Sequence, residues 1–90
     1  MSFHVAYSER SVRELKKLDR YTRRMIYAWI DKNLEGCENP RAHGKALQAN
    51  LKGLWRYRIG DYRLLCSIED DRMVILALTI GHRREIYERT

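Results

Sequence analysis

Leu54-Trp-Arg-Tyr-Arg-Ile-Gly-Asp-Tyr-Arg-Leu-Leu-Cys-Ser-Ile-Glu69 is the stretch whose reading decides the fold. Apolar and polar side chains alternate along it with a period of two, the pattern of a half-buried strand. Gly60-Asp61 interrupts the alternation, and glycine followed by aspartate suits a two-residue hairpin turn of type I′ or II′. The stretch therefore reads as two strands, 54–59 and 62–69, folded back on each other. The turn also sets the register. With Ile59 and Tyr62 flanking it, Trp55, Tyr57 and Ile59 stand opposite Cys66, Leu64 and Tyr62 on one face, which is a core surface. On the other face Arg58 lies directly opposite Arg63, with Arg56 two residues along. Opposed like charges cost a few tenths to about 1 kcal/mol, so stability gives no reason for the pairing.

Downstream, Asp70-Asp71 reads as a second two-residue link into a strand over 72–80. Its segment Met73-Val-Ile-Leu-Ala-Leu-Thr-Ile80 is apolar on both faces, as a central strand should be. That link puts Arg63 beside Leu78, and Gly81-His82-Arg83-Arg84 then leaves the sheet at the end where the first hairpin turns. Arg56, Arg58, Arg63 and Arg83 can converge there, with Tyr87 a turn beyond. Four guanidiniums with no carboxylate assigned between them make a phosphate site. Pairing with Asp61, Glu69 or Glu85 is the competing reading. Leu65, Val74 and Leu76 share the arginine face, so water cannot cover all of it.

Upstream, Phe3–Tyr7 reads as a first strand. Ser8 offers an N-cap for a helix running to about Asp19, with Val12, Leu15 and Leu18 forming an apolar stripe. A second helix, from about Tyr21 to Glu35, buries Met25, Ile26, Trp29, Ile30 and Leu34, and Gly36 stops it. Met25, Tyr27 and Trp29 read as packing rather than as a ligand platform. Residues 36–53, with the only proline, form a basic loop that includes a short helical turn. The order β-α-α-β-β-β implies an α+β fold, a helical hairpin packed on one face of a mainly antiparallel four-stranded sheet.

The chain has 90 residues, enough for one domain over 1–90. It is 44% hydrophobic and 33% charged, which suits a globular protein and argues against disorder. No apolar run approaches the roughly 20 residues of a membrane span, and the N-terminus lacks a signal peptide's apolar core. These features point to the cytoplasm, with no membrane partner. Cys37 and Cys66 form no CxxC pair and have no histidine at metal-ligand spacing, so neither a metal nor a cofactor is expected. Cys66 reads as a buried thiol, and a disulfide is not expected in a reducing compartment.

Lysine and arginine total 18 against 12 acids, a formal charge of +6. Residues 41–63 hold Arg41, Lys45, Lys52, Arg56, Arg58 and Arg63 against Asp61 alone. Such a stretch suits a polyanion, because phosphate contacts release condensed counterions. Lys45 and Lys52 therefore join Arg56 and Arg58 as candidate RNA or phosphate ligands. A solubilising surface accounts for the composition equally well.

The run Leu47-Gln-Ala-Asn-Leu-Lys-Gly-Leu-Trp-Arg-Tyr-Arg-Ile-Gly-Asp-Tyr-Arg-Leu-Leu65, followed by Ile80-Gly-His-Arg-Arg-Glu-Ile-Tyr87, resembles the RelE/ParE superfamily of type II toxin–antitoxin toxins. The resemblance covers nearly the whole chain. In its RelE branch it implies a metal-independent, ribosome-dependent endoribonuclease (an mRNA interferase) that cuts mRNA in the A site and inhibits translation. The implied partners are the 70S ribosome, mRNA and a cognate antitoxin, RelB-like or of another family. Residue by residue, the branch's alternating basic pair corresponds to Arg56 and Arg58. Its next-strand arginine is Arg63, its arginine after the Gly-basic pair is Arg83, and its C-terminal catalytic tyrosine is Tyr87. The best-known RelE has lysines where this chain has Arg56 and Arg58, and arginine is a poor general base. Proton transfer is left to Tyr87 or His82, with the direction open. The ParE branch implies a DNA gyrase inhibitor with the same fold and no nuclease activity. A non-catalytic RNA-binding module is a third reading.

Overall fold

Ser8 and Asp19 start the two helices. The Ser8 hydroxyl accepts from the Ser11 N–H at 3.1 Å and opens α1 (Glu9–Lys16), while Asp19 accepts from the Thr22 N–H at 3.1 Å and opens α2 (Arg20–Asn33). Both satisfy backbone donors that the first helical turn leaves orphaned. The first helix ends before Asp19 because that side chain caps the second. The structure is a computed structural model and describes residues 1–87.

The strands are β1 (His4–Tyr7), β2 (Lys45–Ala46), β3 (Trp55–Ile59), β4 (Tyr62–Glu69) and β5 (Val74–His82). They form one sheet in the order β1-β5-β4-β3-β2, with β1 parallel to β5 and the other pairs antiparallel. The architecture is α+β, and β5 is an interior strand between β1 and β4, as its apolar sequence requires. The expected four strands become five because the basic loop contributes the two-residue β2. Leu15 of α1, Ile26 and Ile30 of α2 and its C-cap residue Leu34 pack on Tyr57, Ile59, Leu64, Cys66, Ile75 and Ala77. Burying each large aliphatic side chain contributes roughly 1.5–3 kcal/mol against the entropy of ordering it. No helix among the described residues is long and apolar enough to cross a membrane.

The first hairpin has the register that its turn dictates, from Trp55 opposite Cys66 to Ile59 opposite Tyr62. Gly60 takes φ +59° and Asp61 stays at negative φ, the type II′ arrangement. The second connection differs from expectation. Asp70–Arg72 forms a single 3₁₀ turn, and Met73 closes it in the left-handed region at φ +55°. Four residues, not two, thus join β4 to β5, and a bulge follows between Leu65 and Cys66. Arg63 consequently faces Gly81 rather than Leu78, and the chain stays in the sheet through His82 instead of leaving at Ile80. Past the end of β1, the Glu14 carboxylate of α1 accepts from the Thr79 hydroxyl at 2.8 Å and the Ile80 N–H at 2.9 Å. It closes the edge that β1 leaves open.

Candidate phosphate-binding face

Away from the helices, Arg58 and Arg63 stand directly opposite each other on β3 and β4, and Lys45 of β2 stands opposite Arg56. Two like-charged cross-strand pairs thus lie side by side. After β5 the chain turns back on itself, with the N–H groups of Glu85 and Ile86 both donating to the His82 carbonyl. Ile86 is fully buried and anchors this turn, leaving Tyr87 half exposed. The Arg56 Nη1 donates to the Tyr87 Oη at 3.2 Å. Arg83 is held by its backbone N–H, which donates to the Asp61 carbonyl at 2.8 Å.

Arg63 is the centre of the group. Only 8% of it is exposed, and its Nη1 donates to the carbonyls of Gly60 and Tyr62 at 3.0 and 2.9 Å. Its guanidinium is held below the usual arginine value, first by burial and then by the charges of Arg58, Arg56 and Arg83, with Tyr87 opposing. The Arg56 Nε is buried without a hydrogen-bond partner. A mutually repelling set of guanidiniums around the buried Arg63, with a spare buried donor on Arg56, is stabilised by an anion such as a phosphate.

Arg56, Arg58, Arg63, Arg83 and Tyr87 therefore come together, and Lys45 extends the row. Lys52 lies on the exposed end of the turn Ala49–Leu51, beyond the start of β3. His82 is set apart. Because Gly81 faces Arg63, its neighbour His82 falls on the opposite side of the sheet. There it packs edge-on against Tyr62 and lines a cleft of about 540 Å³ with Arg10, Arg13, Glu14 and Lys17 of α1 and its end. Its Nδ1 accepts from the Arg84 N–H at 3.2 Å.

Of the carboxylates that could compete for the arginines, Asp61 is the one among the described residues that comes near. It reaches the Arg83 Nε at 3.8 Å, a partly exposed pair of little energetic weight. The burial of Arg63 was not anticipated, since strand alternation put it outside the core, on the face away from the helices. Both cysteines are free thiols, and burial raises the pKa of each.

The family model described as the ParE toxin of the type II toxin–antitoxin system parDE matches residues 5–87. The chain belongs to the RelE/ParE superfamily of type II toxin–antitoxin toxins. It is 30% identical to toxin RelG of Mycobacterium tuberculosis over 99% of this chain and 100% of that protein. Toxin RelE of the same organism is 29% identical over 94% of this chain and 86% of that protein. Among solved structures, the toxin–antitoxin complex RelBE2 from M. tuberculosis has a chain that matches with a TM-score of 0.83 and 28% identity, covering 92% of this chain and 100% of that one. Isolated E. coli RelE matches in fold with a TM-score of 0.69 and 20% identity, covering 98% and 94% of the two chains. The superfamily's fold is therefore this chain's fold, in which the arginine row and Tyr87 occupy one end of the sheet.

Proposed function

We propose that this toxin is a RelE-type endoribonuclease that cuts mRNA in the ribosomal A site and so inhibits translation in the cytoplasm. The observation that carries the reading is the Arg56–Tyr87 hydrogen bond beside the opposed Arg58–Arg63 pair, which joins a proton-transferring hydroxyl to a phosphate-binding cluster. The ribose 2′-OH gives its proton to water and attacks the adjacent phosphorus while the bond from phosphorus to the 5′-oxygen breaks, leaving a 2′,3′-cyclic phosphate and a free 5′-OH. Water returns a proton to the donor that protonates the 5′-oxygen. Arg58, Arg63 and Arg83 stabilise the charge that builds on the phosphorane oxygens. Arg56 donates to the Tyr87 oxygen, which leaves the tyrosine O–H free to donate elsewhere. That geometry favours Tyr87 as the proton donor to the leaving 5′-oxygen. Substrate positioning by the ribosome supplies much of the remaining barrier reduction, of the order of 7–11 kcal/mol in well-oriented reactions.

An antitoxin encoded with the toxin would neutralise it by bringing acidic residues to Arg56, Arg58 or Arg83, or by displacing the turn that carries Tyr87. The gyrase-inhibitor reading draws on the ParE family model, whereas the curated relatives are RelE-type toxins. A cleavage assay on programmed ribosomes separates the two. Discrete A-site cuts with 5′-OH ends are expected, and intact message together with inhibited gyrase supercoiling would overturn the nuclease reading.

A further inference from the structure

Beside the arginine row lies a crevice of about 190 Å³ lined by Trp29, His43, Gly44, Lys45, Arg56 and Arg58. It is too small for the drug-sized ligands of ordinary pockets, which take roughly 300–1,000 Å³, and suits one planar ring. Its origin is a strand that stops early. Leu47 donates to the Leu54 carbonyl at 3.0 Å and Lys45 pairs with Arg56, so the next hydrogen-bonded pair of this ladder would join residue 43 to residue 58. Gly44 prevents it. At φ +82° it turns the chain away, and a Cβ there would lie 2.3 Å from the Arg56 carbonyl oxygen and 2.6 Å from the Trp55 Nε1. The diverted loop is pinned, since the Trp55 Nε1 donates to the His43 carbonyl at 2.7 Å and Arg41 forms a bidentate pair with Asp70 at 2.9 Å.

The β3–β4 ladder uses the backbone groups of Tyr57 and Ile59, so those of Arg58 point to the open side of β3. One N–H and one C=O, side by side and without a strand partner, therefore face the crevice. Trp29 and His43 supply its aromatic side, with the His43 ring edge-on to Trp29 at 5.8 Å. The Arg56 and Arg58 side chains belong to the row that holds phosphate in the proposed reaction.

We propose that this crevice seats a nucleobase of the nucleotide next to the bound phosphate. The ring packs against Trp29 and His43, and its edge bonds to the Arg58 backbone N–H and C=O. A neighbouring donor and acceptor is what every base presents on its pairing edge. Aromatic packing of this kind tolerates any base, and the edge contact fixes how the ring is turned. The inference deepens the RNA reading and rests on it.

The test uses the full-length toxin with its two tryptophans fluorine-labelled and followed by fluorine NMR. The probes are a 2′-O-methyl trinucleotide, which cannot be cleaved, and a strand of equal length and charge whose central base is missing. The base-bearing strand should shift the Trp29 resonance and bind roughly tenfold more tightly than the abasic one. His43→Ala should shrink that affinity ratio several-fold. Equal affinities with an unmoved Trp29 signal would overturn the base seat and leave phosphate binding standing. If neither strand binds, the base seat falls, and the programmed-ribosome assay decides the RNA reading separately.

Discussion

Arg58 stands directly across the β3–β4 ladder from Arg63, and Arg63 is nine-tenths buried. Relieving this repulsion should help the fold and harm the function. Arg58→Thr, a good strand residue, should gain a few tenths to about 1 kcal/mol, which raises the melting temperature by up to about 4–8 °C in a domain of this size. RNA cleavage should fall at the same time. A calorimetric scan beside the ribosome assay checks both, and a variant that loses stability would show that Arg58 serves the fold.

Arg63 and Arg83 separate under mutation. Arg83→Ala should lower cleavage by roughly 10²-fold, the cost of a removed preorganised charge. Its melting curve should hardly move, because its side chain is half exposed and its ion pair with Asp61 is weak. Arg63→Ala should lower cleavage and stability together, since its guanidinium binds the carbonyls of Gly60 and Tyr62 and braces the hairpin turn. Equal melting temperatures for the two variants would contradict the bracing role.

Tyr87 and His82 were interchangeable candidates from sequence, and their positions now distinguish them. Tyr87→Phe should reduce cleavage by about 10²–10⁴-fold, the range of a lost general acid, while binding of an uncleavable RNA survives. His82→Ala should change cleavage by no more than a few-fold, because His82 lies across the sheet with Tyr62. Single-turnover rates decide the matter, and the reverse ranking would return the proton transfer to His82.

Acid should loosen the fold by a predictable route. The Asp70 carboxyl is held below its usual value by its hydrogen bonds from Arg41, Asp19 by those from Thr22, and Glu35 by the Val5 N–H and His4. A lowered native pKa contributes stability that is present above the unfolded value and lost as pH falls through the native one. The melting temperature should therefore begin to drop below about pH 5, as the unfolded carboxylates near 3.9–4.3 take up protons. Asp70→Asn should remove part of this slope, which melting curves at successive pH values would reveal.

Antitoxin association should be salt-sensitive. If acidic side chains land on Arg56, Arg58 or Arg83, long-range attraction speeds encounter and the on-rate falls as salt rises, while apolar anchors set the off-rate. Stopped-flow mixing at two salt concentrations measures this. An on-rate indifferent to salt would move the landing surface away from the arginine face.

The element order, the apolar interior strand, the cap at Ser8 and the pairing of Arg58 with Arg63 were all legible in the sequence, because each rests on neighbours along the chain. A Gly-Asp turn constrains only two pairs of backbone angles, and those angles carry the register from Ile59 to Trp55. The β4–β5 register was not legible. It depends on Met73 adopting a left-handed conformation and on a bulge at Leu65/Cys66, neither of which has a compositional signal. That shift places Gly81 opposite Arg63, keeps His82 in the sheet and sends it to the far face. The strand β2 is equally silent in sequence, since two residues show no periodicity and it forms only where the loop meets β3. Residues named from local pattern thus included the arginines and Tyr87 that the fold gathers at one end of the sheet. The burial of Arg63, the exclusion of His82 and the crevice beside Arg58 come from contacts between segments far apart in the chain, which only packing can determine.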